Sequence, residues 1–114
     1  MAKMRLTLAR TSALAMSTVL GSAPAYPAGN ADEAKGLIAD QCVRCHEVPG
    51  YEASERSAAV EAPSFAEISG QPEVYTEERL RRFLQSPHWP MAQFHLSQRD
   101  IDNLLAFIET LRSD

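Results

Sequence analysis

Apolar residues in the second half of the chain recur at helical intervals. Ile101, Leu104, Leu105, Ile108 and Leu111, with Phe107 at their margin, mark a wide face to be buried on one side of a helix. Ser97 precedes the series as an N-cap, and Asp100 stands three residues later. A second stripe, Leu80, Phe83 and Leu84, follows Thr76 as cap, with Glu77 and Glu78 at the positive end of the helix. Pro87 forces Ser86 out of helical geometry and closes that segment. Upstream, Ala34, Leu37 and Ile38 define a first helix over residues 31–41. Asn30 opens it with Glu33 three places on, the spacing of a capping box, and the same face continued by four residues reaches Cys42. Phe65 and Ile68 in PSFAEISG give one or two further turns, stopped by Gly70. No segment reads convincingly as a strand. The pattern predicts an all-α domain of three to four short helices. The polar stretch at residues 48–63 reads as a surface loop, and residues 87–96 as an irregular loop with two prolines and a concentration of aromatics.

The pattern changes before residue 26. Lys3, Arg5 and Arg10 are followed by a small, apolar run from Thr11 to Gly21 and then by Ala23-Pro24-Ala25. That is the order of a secretory signal with its cleavage site. The run is well short of the roughly 20 residues needed to span a bilayer. The expectation is a signal peptide over 1–25, cut near Ala25, and one domain over 26–114 exported to the periplasm without stable membrane insertion. Residues 26–114 keep eight basic against fifteen acidic side chains, net −7, where the full chain is −4. So acidic a domain does not grip nucleic acid or an anionic membrane by charge; its partner should offer a basic face. A domain of this size has a marginal core, which a large apolar cofactor would reinforce.

The candidate chemistry lies in Cys42-Val43-Arg44-Cys45-His46, which holds both cysteines of the chain. A Cys42–Cys45 disulfide would close too short a loop to stabilise much. A redox dithiol belongs at a helix N-terminus beside a βαβ unit, whereas these cysteines follow a helix. A structural zinc site needs four ligands at regular spacing, and only His46, His88 and His95 are available to join the cysteines. Two thiols three residues apart suit addition across the two vinyl groups of a haem, and the next residue supplies an axial nitrogen. C-x-x-C-H therefore reads as covalent attachment of haem c.

With these residues in place the chain resembles the small monohaem class I cytochromes c. The resemblance rests on the helix leading into Cys42–His46, on VYTEERLRRFLQSP, and on Met91 followed by a capped apolar helix. It implies a haem wrapped by short helices, with the N- and C-terminal helices crossing. It implies thioether bonds at Cys42 and Cys45, His46 as proximal iron ligand and Met91 as the sixth, with His88 and His95 as competitors. Pro63 matches a proline whose carbonyl accepts from the proximal imidazole; by itself it reads as a residue opening a helix. Tyr75 and Trp89 are candidate contacts for a haem propionate. Arg79, Arg81 and Arg82 read first as a solvated helix face, with propionate or partner charge as the alternative.

Two places depart from the family pattern. A glycine is usual eight residues before the first cysteine, where the helices touch; here Ala34 stands there, with Gly36 nearby. Residues 87–91 are also short, as in the compact bacterial type. The implied function is that of an electron carrier rather than an enzyme, passing single electrons between redox partners. The alternatives are a haem subunit of a periplasmic dehydrogenase complex and a haem-based small-molecule sensor.

Overall fold

The computed structural model describes Gly21 and residues 28–52, 56–57, 60–87 and 89–113. The expected signal peptide over 1–25 lies, apart from Gly21, outside the described residues, and so does His88. Four α-helices follow in order: α1 (Lys35–Asp40), α2 (Phe65–Gly70), α3 (Glu77–Gln85) and α4 (Gln98–Arg112). A 3-10 turn over Ala31–Ala34 leads into α1, and another over Cys42–Arg44 follows it. Among the described residues there is no strand, and no helix is long and apolar enough to cross a membrane.

The longest helix is also the best marked. Ser97 Oγ accepts from the Asp100 amide, and a carboxylate oxygen of Asp100 accepts from Ser97 N at 2.9 Å, a complete capping box. Ile101, Leu104, Leu105, Phe107 and Ile108 are all buried on the core side. Hydrogen bonds from Ser97, first from its side chain and then its backbone, hold the Asp100 carboxyl below the ordinary value of 3.8. A carboxyl depressed in the folded state stabilises above its unfolded pKa, and the gain disappears as pH falls through the folded one. Asp100→Asn should therefore cost about 1 kcal/mol near pH 6, and the two melting curves should converge as pH falls below the ordinary carboxyl value of 3.8.

The first helix differs from expectation at its start. Asn30 Oδ1 accepts from Asp32 N, but Glu33 does not turn back to complete a capping box. Instead Asn30 N donates to Asn103 Oδ1 of α4 at 2.8 Å, while Glu33 accepts from Arg99 and from Asn103 Nδ2. A carboxamide from the far end of the chain does the work of the local carboxylate. The crossing is set by small residues. Ala34 is 1% exposed against α4, so alanine fills the place where the family has glycine. Gly36 faces open space; the close approach falls at Gly29, where a Cβ would lie 1.9 Å from Asp102 O.

Helix α3 packs on α4 through a pair not anticipated from sequence. Arg81 is 5% exposed, with Nη1 2.6 Å from Asp102 Oδ1 and Nη2 3.2 Å from Glu77. The reading of Arg81 as a solvated residue is thus corrected. Its side chain turns to the face opposite Arg79 and Arg82, where α4 supplies a carboxylate. Removing one partner of a buried pair leaves a charge poorly compensated. Asp102→Ala should cost about 2 kcal/mol, with Glu77 retaining part of the interaction, and should lower the melting temperature by roughly 8–16 °C.

The loop after the cysteines is not all surface. VPGY carries proline and then glycine at the two central positions of a turn, Gly50 has φ +81°, and Tyr51 N donates to Val48 O. The turn buries Val48 and sets Tyr51 edge-on to Phe107, ring centres 6.0 Å apart.

Candidate functional site

The turn over Cys42–Arg44 arranges the motif. The amides of Cys45 and His46 both donate to Cys42 O, at 3.2 and 2.9 Å. That winding brings residues 42, 45 and 46 to one side of the chain. Val43 is buried in the core and Arg44 is exposed, so the two intervening residues face elsewhere. Cys42 and Cys45 are not joined by a disulfide, and with His46 they line one cavity. Burial pushes the Cys42 thiol up to about 11, opposed in part by a backbone hydrogen bond. A thiol raised in this way is the reverse of the low-pKa thiol of a redox dithiol.

Pro63 reaches His46 by a local route. Phe65 N donates to Glu47 O at 2.8 Å, tying the start of α2 beside the histidine, and Ser64 caps that helix. Pro63 O then lies 2.7 Å from His46 Nδ1. A carbonyl only accepts, so Nδ1 carries the proton and Nε2 keeps its lone pair. Phe65 meets the imidazole ring edge-on, with centres 5.4 Å apart, and itself leans on Phe107. One hydrogen bond and one ring contact hold the histidine in place.

The cavity measures about 700 Å³, within the range of small-molecule and cofactor sites. Besides the motif its walls include Leu37 of α1, Ile68 of α2, Phe83 of α3 and Leu104 of α4. Met91, half-buried in the loop before α4, borders the same space, where Phe94 N closes a turn onto Met91 O. Tyr75 also lines it, its carbonyl held at 2.6 Å by Arg112. Trp89 and His95 do not: Trp89 is 79% exposed, and His95 is exposed as well. Of the two aromatic candidates for a propionate contact, only Tyr75 is positioned for one.

Two thiols and one lone-pair nitrogen at one wall, a thioether in the same lining and otherwise largely apolar walls fit a haem attached through sulfur and ligated at iron. No three His, Cys, Asp or Glu side chains cluster among the described residues to hold a bare metal ion. Sequence reading missed Leu37, Phe94 and Leu96 as lining residues; the first was legible as part of an inward stripe, the others lie in a loop without periodicity.

The comparisons with known proteins agree with this geometry. Residues 31–112 match the family model for cytochrome c. The chain is 36% identical over 100 residues to cytochrome c-552 of Bradyrhizobium diazoefficiens, covering 87% of this chain and 88% of that protein. No solved structure matches. With the matched region running from the first helical turn to the end of α4, and the attachment motif at the wall of the cavity, the chain belongs to the cytochrome c family as a small class I member with covalently bound haem c.

Proposed function

We propose that the chain is a periplasmic electron-transfer protein holding one haem c through thioethers at Cys42 and Cys45, with His46 and Met91 as axial iron ligands. When bound, the haem supplies the one-electron chemistry, cycling between ferric and ferrous. The protein's part is to hold the ligands, to exclude water and to present an edge for docking. The observation that carries this reading is the hydrogen bond from His46 Nδ1 to Pro63 O at 2.7 Å. It leaves Nε2 as the nitrogen able to bind metal, fixes the ring and raises its basicity. The Met91 thioether would raise the reduction potential relative to a second imidazole.

Export rests on the signal-like segment over 1–25, and a partner with a basic docking face rests on the net −7 of residues 26–114. Electron exchange with a cationic partner should slow as salt is added, because both long-range steering and its screening are electrostatic. Stopped-flow rates at rising ionic strength check this; constant rates would remove the basic partner from the proposal. The attachment itself is tested by mass analysis of the exported protein made in a host that matures c-type cytochromes. The expected mass is that of one polypeptide plus one haem, resistant to acid extraction. Two unmodified thiols, or two thiols joined only to each other, would overturn the reading.

A further inference from the structure

The lining of the haem cavity is nearly free of charge. Among the described residues its charged side chains are Glu61, Arg79 and Arg82. Helix α3 carries three arginines, and the structure gives them different employment. Arg81 faces away and joins Asp102 and Glu77. Arg82 lies on the cavity side but is paired with Glu78 one turn earlier, at 2.5 Å. Arg79 lines the cavity too, and it has no carboxylate partner among the described residues. Its Nη1 donates to Val74 O at 2.9 Å, an uncharged acceptor. That bond anchors the guanidinium while leaving the Nε–Nη2 edge, the fork that matches a carboxylate bidentately.

We propose that Arg79 is the counter-cation for a haem propionate and thereby sets part of the reduction potential. The proposal rests on the haem reading above and deepens it. A haem brings two carboxylates into a site with largely apolar walls, where an ionised group without a partner is costly. Glu61 repels them and Arg82 is already compensated, so Arg79 is the cation able to receive one. Its position also separates it from Arg81, which the same short sequence run would otherwise make equivalent. A positive charge held there offsets propionate charge near the iron and favours the ferrous form.

The test uses the haem-loaded protein and four chains: wild type, Arg79→Gln, Arg79→Lys and Arg99→Gln. Arg99 pairs with Glu33 at the start of α4 and does not line the cavity, so its loss removes the same charge elsewhere. Equilibration with redox dyes reads the ferric-to-ferrous ratio. Arg79→Gln should shift it about tenfold toward ferric, about 59 mV for a one-electron couple. Arg79→Lys should recover most of that shift, and Arg99→Gln should move it less than about twofold. Melting temperatures and the visible spectra should stay close to wild type, because Arg79 is exposed and its side-chain hydrogen bond to Val74 O lies at the surface. An Arg79→Gln ratio equal to that of wild type or of Arg99→Gln overturns the Arg79 role while leaving the haem reading intact. Wild-type protein without covalent haem would overturn both, and mass analysis of the same samples distinguishes the two failures.

Discussion

Gly29→Ala should cost about 3–4 kcal/mol and lower the melting temperature of the haem-loaded protein by roughly 15–25 °C. The cause is space, not backbone freedom. A Cβ at Gly29 would meet Asp102 O at 1.9 Å, Asp102 C at 2.1 Å and Asn103 N at 2.6 Å, all backbone atoms of α4. A flexible side chain can swing aside, but a helix backbone yields only by moving the helix. The leading segment would lift away and take with it the Asn30–Asn103 hydrogen bond and the packing of Ala34. Gly36 is the internal control. It stands in α1 with nothing within 4 Å of the place a methyl group would take, so Gly36→Ala should stabilise by about 0.5–1 kcal/mol through helix propensity alone. Thermal melts of both variants check the pair, and equal melting temperatures would show that the chain ends do not cross at Gly29.

Met91→Ala should abolish the weak far-red band that a sulfur-to-ferric-iron charge transfer produces and should lower the reduction potential by about 0.1–0.3 V. That lies within the roughly 0.8 V over which axial ligands tune haem iron. Met91 borders the cavity, whereas His95 is exposed and not in the lining. The variant should also bind carbon monoxide when reduced, because alanine offers no donor to compete. Optical spectra and a redox titration of wild type and variant decide it. A far-red band that survives the substitution would assign the sixth position to another residue. Met91 is only partly buried and packs at the margin of the core cluster, so the variant should lose some stability but still fold around Ile38, Ile101 and Leu104.

Much of the architecture could be read from local signals. Helix α4 was legible from end to end because its cap, its first-turn acid and its apolar face all obey short-range rules. The grouping of Cys42, Cys45 and His46 was legible because C-x-x-C-H needs only a turn to bring it together, and the contact of Pro63 with His46 because a family pattern places it. What escaped depends on residues far apart in the chain. Glu33 has the right spacing to close a local capping box, but Arg99 and Asn103 offer it charge and a second donor. Arg81 looks like its neighbours until Asp102 arrives on the face opposite Arg79. Gly29 stands where a turn glycine would be unremarkable; only the tertiary contact shows that no larger residue fits. The burial of Val48 and the inward packing of half-buried Tyr51 were partly written in VPGY, whose proline–glycine pair marks a turn that sends the chain back inward.

The stitching of residues 29–34 to α4 also has a temporal side. Leu104 and Ile108 complete the wall around Cys42, Cys45 and His46, yet they belong to the final fifteen-residue helix. A polypeptide lengthening from its N-terminus shows its sulfurs and imidazole long before that wall exists. Closure waits for contacts between distant parts of the chain, which form late because the intervening length must first be drawn together. Until those contacts form, Cys42, Cys45 and His46 line no closed space; the cavity is a product of the whole fold and not of the motif alone.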